Sequence, residues 1–161
     1  MALDKEQFQD LIERKLKEIN MHSGAAVHLL LGTAAQESGF GTYLRQVGGG
    51  PALGVFQMEP ATEKDIWNNY LDVEFREDLA FAVWRACYVS CANPEALEYN
   101  LAYQIVMARI HYRRIKEPLP PHDNVEALAR YWKKYFNTPY GAGREDEFVR
   151  NYKKYVGDIK R

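Results

Sequence analysis

The chain has few of the features that would assign it quickly to a class. Among its 161 residues there are only two cysteines, Cys87 and Cys91, too few for a disulfide framework. No apolar run approaches the roughly 20 residues that cross a bilayer; the longest, Ala25 to Leu31, is interrupted by His28. The N-terminus, MALDKEQFQDLIERK, is charged and lacks the apolar stretch of a secretory signal. Neither sign of charge dominates. A net charge of -1 gives no electrostatic case for nucleic acid. The pairs Arg113-Arg114, Lys133-Lys134 and Lys153-Lys154 are short and read as solvated helix faces. The four histidines follow no ligand spacing, so neither a metal nor a cofactor is expected. Cys87 and Cys91, four apart in a helical-looking segment, would share one face as reduced structural residues.

What is present is helical periodicity. A hydrophobic content of 47% with 27% charged residues is that of an ordinary globular protein, large enough for a real core. Phe8, Leu11, Ile12, Leu16 and Ile19 recur at three and four, behind a capping-box arrangement of Asp4 and Gln7. Ser23 is placed to cap a second helix running to about Ser38, apolar on most sides and so expected to be buried. Residues 39–54 carry six glycines and one proline, which predicts a loop or small irregular ribbon. Helical pattern returns from Pro60 to about Leu71 and again over roughly 74–91. Asn93-Pro94 should open the longest helix, ending before the proline-rich 116–121. Asp123 or Asn124 should cap a helix over 125–136. A turn at 137–143 then precedes a last helix at 144–155 with Phe148, Tyr152 and Tyr155 on one face. A mainly α, single-domain chain is expected over 1–161.

Glu37 has the setting a general acid needs. It stands at the C-terminal end of the most apolar helix, directly before the glycine-rich segment. Partial desolvation there disfavours the carboxylate, and a shift to about 6–7 would suit proton transfer near neutrality. The bland alternative is a solvated helix-end glutamate. Gln57 can equally satisfy loop backbone groups or bind a substrate amide. Ser38 can cap its helix or orient the glutamate, and Phe56 and Met58 can be core or cleft wall. Tyr43 and Trp67 are aromatic candidates for stacking on a ligand.

The order of these residues adds more. Glu37-Ser38-Gly39-Phe40, then Gly54-Val55-Phe56-Gln57-Met58 with Pro60-Ala61-Thr62, resembles the two leading motifs of the soluble lytic transglycosylases and goose-type lysozymes. Val55-Phe56 stands where the family has Leu-Met. Downstream, Asn100-Leu101 with Ala108-Arg109 and Tyr112, and Ala127-Leu128-Ala129-Arg130-Tyr131, resemble later family segments, with Trp132 where an asparagine is usual. The resemblance covers about 25–135 and leaves the first helix and 137–161 unaccounted for. It implies a lysozyme-like fold and cleavage of the MurNAc–GlcNAc β-1,4 bond of peptidoglycan. Glu37 would be the catalytic residue, with Ser38, Phe56, Gln57, Met58 and Tyr131 along the substrate. No second carboxylate occupies a motif position; Glu63 and Asp65 read as first-turn acids favourable to the helix dipole. That favours a lytic transglycosylase over a hydrolysing muramidase, with a catalytically inactive wall-binding or virion module as the third reading. A monomer without membrane insertion is expected. Made in the cytoplasm without a signal peptide, it would reach the cell wall through a phage holin or as part of a virion.

Overall fold

Four polar side chains set where helices begin. Asp4 Oδ1 accepts from the Gln7 amide, Ser23 Oγ from Ala26, Asn100 Oδ1 from Tyr103 and Asn124 Oδ1 from Ala127, each at 3.0 Å. Each such cap contributes about 1 kcal/mol by satisfying an amide the helix itself leaves open.

The computed structural model describes residues 1–138 and 141–157. It is mainly helical: α1 (Lys5–Glu18), α2 (Gly24–Ser38), α3 (Pro60–Ile66), α4 (Glu77–Cys87), α5 (Ala96–Tyr99), α6 (Leu101–Arg113), α7 (Val125–Trp132) and α8 (Glu145–Tyr155). Helices α3 and α7 each run on into a wider π-type turn, Trp67–Leu71 and Lys133–Asn137. Extended pairing among the described residues amounts to two isolated bridges, Arg45 with Leu53 and Leu53 with Met58, within the glycine-rich segment. No helix among them is long and apolar enough to cross a membrane. Pro139 and Tyr140 of the expected 137–143 turn lie outside the described residues.

Two expected helices are shorter than their sequence pattern. Helix α4 stops at Cys87 because Tyr88 adopts a left-handed conformation (φ 59°), so exposed Cys91 shares no helix face with buried Cys87. The expected helix from residue 94 divides at Asn100, whose backbone is extended. Its side chain caps α6 and donates from Nδ2 to the Cys87 carbonyl (2.9 Å), which fastens the end of α4.

Helix α2 forms the centre. Val27, Leu29, Leu30, Leu31, Ala34 and Ala35 are all buried, on several of its sides. Phe8, Ile12 and Leu16 of α1 join the same core. Helix α8 packs along α2 through Phe148, whose ring lies where a Gly32 side chain would be: a Cβ there would come within 2.3 Å of Phe148 Cζ. A mid-helix glycine costs about 1 kcal/mol against alanine, and the close approach offsets it. Tyr152 joins Phe148 in the core, while half-buried Tyr155 stacks on Phe40 (5.8 Å between centroids). The two segments outside the family resemblance, α1 and α8, are therefore integral to the core that holds α2.

Candidate active site

The last turn of α2 carries Gln36, Glu37 and Ser38, after which Gly39 turns left-handed (φ 58°) and ends the helix. Ser38 is 1% exposed. Its hydroxyl donates to the Val55 carbonyl (2.6 Å) and accepts from the Gly41 amide (2.9 Å). The two motifs, 17 residues apart, are thereby joined at one bond. Beyond Val55 the chain passes through another left-handed residue, Gln57 (φ 50°), whose Nε2 donates to the Gly54 carbonyl (2.9 Å).

These elements border a groove of about 610 Å3. Glu37 lines it together with Gln57, Met58, Glu59 and Thr62 from the second motif and the start of α3. The ribbon contributes Tyr43, Gln46 and Val47; His111, Phe136 and Asn137 come from α6 and the π turn after α7. Tyr43 is 52% exposed, an aromatic face open to solvent beside the groove. A second groove of about 510 Å3 runs along α1, where Asp4 is engaged as a helix cap, Asp10 is paired with Arg14 and Glu6 is exposed. Volume alone does not distinguish the two; the burial of Glu37 does.

Glu37 Oε1 accepts a hydrogen bond from Trp132 Nε1 (2.9 Å). Burial raises the carboxyl from 4.5, the ordinary glutamate value, to about 7, with the indole donor pulling the other way. The negative end of the α2 dipole acts in the same direction as burial. An indole N–H can only donate, so the acid proton belongs on the other oxygen, Oε2. Trp132 is itself fixed: it packs on Phe148 (5.4 Å between centroids), and Gly143 lies so close that a Cβ there would meet Trp132 Cη2 at 2.6 Å. The carboxyl is thus oriented by a buried, immobile donor and poised near neutrality.

Of the six residues assigned to the site from sequence, Glu37, Gln57 and Met58 line the groove. The structure places the other three elsewhere. Ser38 is spent on backbone groups. Phe56 is core, 6.2 Å from the Phe8 ring, because the turn at Gln57 sends it inward. Tyr131 donates to the Glu117 carbonyl (2.8 Å) and packs on Tyr135, facing a separate depression beside Pro118 and Pro120. Adjacent residues on a helix point about 100° apart, so only one of 131 and 132 can meet α2, and it is Trp132. Trp67 is also core, donating to the Tyr103 hydroxyl (2.8 Å), and cannot stack on a ligand.

Three features were not anticipated. His111 lines the groove as a neutral ring, lowered to about 4 by burial, with Nε2 bonded to the Tyr135 carbonyl (3.1 Å). Lys133, read as a solvated face, bridges Asn137 Oδ1 (2.7 Å) and the Gly141 carbonyl (2.8 Å) at the groove edge. Glu63, read as a first-turn acid, is 1% exposed and accepts from the Asn93 amide (2.8 Å) and the Tyr103 hydroxyl. No sequence signal marks the partners of Glu63, which lie 30 and 40 residues away. Among the described residues no three His, Cys, Asp or Glu side chains converge as a metal site would require. No family model, curated protein or solved structure matches the chain.

Proposed function

We propose that the protein is a lysozyme-like enzyme that cleaves peptidoglycan glycan strands at the MurNAc–GlcNAc β-1,4 bond, acting as a lytic transglycosylase. The observation that carries this reading is the Glu37 carboxyl, held at about 7 in a groove and fixed through one oxygen. A group so placed is about half protonated at neutrality and more fully so below it, and it can hand its proton to a leaving glycosidic oxygen. As the C1–O4 bond breaks, the N-acetyl oxygen of the muramic ring relieves the developing positive charge at C1. The C6 hydroxyl then closes onto C1, and its proton passes to the Glu37 carboxylate. The C1–O6 bond replaces C1–O4, no water enters, and the acid form is restored. Gln57, whose Nε2 is held by the Gly54 carbonyl, would offer its remaining amide oxygen to a sugar acetamido group, and Tyr43 would offer a stacking face.

One observation favours a second reading. Glu59 is exposed and lines the same groove, so a second carboxylate is available to activate water, as a hydrolysing muramidase needs. Mass spectrometry of fragments released from purified sacculi separates the two. Transglycosylase action gives 1,6-anhydro ends, each one water lighter than a reducing end. Hydrated ends alone overturn it in favour of the hydrolase, and intact sacculi overturn glycan cleavage altogether. As a wall-degrading enzyme acting as a monomer, it would reach its substrate through a holin-type membrane lesion or with a virion.

A further inference from the structure

The groove-lining turn of the second motif rests on a residue far from it in sequence. Val55 is buried, and both its peptide groups are taken by side chains. Ser38 donates to its carbonyl, and its amide donates to Gln104 Oε1 at 2.8 Å. Gln104 lies one turn into α6, is 4% exposed, and is one of few buried polar residues in the chain. The seat is tight. Gly54 has a φ of 82°, and a Cβ on it would come within 2.0 Å of the Leu97 carbonyl and 2.5 Å of Gln104 Oε1. The Gly54 carbonyl in turn accepts from both the backbone amide (3.1 Å) and Nε2 (2.9 Å) of Gln57.

We infer that Gln104 is a positioning residue for the reaction: through Val55 it fixes the Gly54–Gln57 turn, and so the Gln57 carboxamide, in register with Glu37. The role depends on the glycan-cleaving reading above. The geometry is a three-way junction in which α2 enters through Ser38, α6 through Gln104 and the ribbon through Val55. No apolar side chain at 104 can stand in, because the Val55 amide would remain buried without an acceptor. An unanchored turn would let Gln57 drift relative to Glu37, and a displacement of about 1 Å in a reacting array can cost about a hundredfold in rate.

The test compares Gln104→Met, which keeps length and removes the acceptor, with Gln104→Glu, which keeps an acceptor oxygen. Turnover on solubilised glycan strands is measured alongside thermal melting, well below the melting transition of each variant. The expected result is a kcat about 10- to 100-fold lower for Gln104→Met with a smaller change in KM, and recovery of most of the loss in Gln104→Glu. A residue that only stabilises the fold would lower the melting temperature and leave kcat unchanged, and that outcome overturns the assignment. If the methionine variant does not fold, Gln104→Leu, which also lacks an acceptor, takes its place under the same outcomes: a kcat about 10- to 100-fold lower in the folded protein supports the role, and an unchanged kcat overturns it. Wild-type protein that cleaves no strand would remove the glycan-cleaving reading, and Gln104's role with it; active wild type with an equally active Gln104→Met removes only the latter.

Discussion

Two glutamates withdrawn from bulk water are held in different surroundings. Glu63 on α3 is the more deeply buried, yet it accepts from the Tyr103 hydroxyl and the Asn93 amide, and Tyr103 accepts in turn from Trp67. Its two donors come from α6 and the 90–93 turn, and the network ties both to α3. Among the described residues Glu37 on α2 has a single side-chain donor, Trp132, and it borders a groove. Burial by itself does not make an acid. What matters is how much of the desolvation penalty the surrounding donors return, and whether one oxygen stays free for a ligand. Glu63 is a structural tie, and Glu37 is under-compensated and accessible.

The sharpest way to break this contrast is to remove each carboxylate in turn. Glu37→Gln keeps the shape and the bond from Trp132 but has no proton to give. Turnover on sacculi should fall by about 10²- to 10⁴-fold with the helical circular dichroism unchanged. Glu63→Met strands two buried donors and should destabilise the fold by about 3 kcal/mol in urea titrations, leaving the rate per folded molecule unchanged. An exchange of these phenotypes, with activity following Glu63 and stability following Glu37, would reverse the assignment.

The same under-compensation should be visible in stability against pH. Glu37 binds its proton more tightly folded than unfolded, so its contribution is intact below about 4.5 and is lost as pH rises through about 7. The full loss is about 3 kcal/mol, since each tenfold gain in proton affinity on folding is worth about 1.4 kcal/mol. Glutamine mimics the protonated acid at every pH. Glu37→Gln should therefore equal wild type in stability at about pH 4 and exceed it by up to about 3 kcal/mol at about pH 8.5. Equal urea midpoints at the higher pH would mean that the carboxyl is not desolvated.

How far the sequence discloses this arrangement depends on whether the deciding contact is local. Glu37 is legible because helical periodicity places it at the end of an apolar helix and the glycines after it signal a turn. The N-caps at Asp4 and Ser23 are legible for the same reason, the cap of α7 is narrowed to Asp123 or Asn124, and the amphipathic pattern of α8 marks Phe148 and Tyr152 as buried. The break at Asn100 is hidden by apolar pattern continuing across it; the asparagine itself, a good N-cap, is the only local sign. The choice of Trp132 over Tyr131 depends on how α7 is rotated against α2, which no local pattern encodes. Glu63 reads as a dipole acid because its partners arrive from distant segments. The ribbon beside the groove follows from the glycines, but its seating on α2 does not.

Trp132 offers the finest adjustment of the comparison, since among the described residues it is the donor that partly compensates Glu37. Trp132→Phe keeps an aromatic ring against Phe148 and deletes only the N–H and part of the bulk. The indole bond lowers the Glu37 pKa against the rise caused by burial, so removing it should raise the pKa further. A hydrogen bond of about 1 kcal/mol corresponds to about 0.7 on the pH scale. The alkaline limb of kcat/KM, where the acid loses its proton, should therefore move up by about that much, and the variant should keep a larger fraction of its own maximum at about pH 8 than wild type does. The maximum itself should fall, because the carboxyl loses the contact that orients it. A limb that stays in place while the maximum drops would assign Trp132 to packing alone. A limb that moves down would mean that water replaces the indole at Glu37, making the groove wetter than its lining implies and weakening the contrast with Glu63 at its origin.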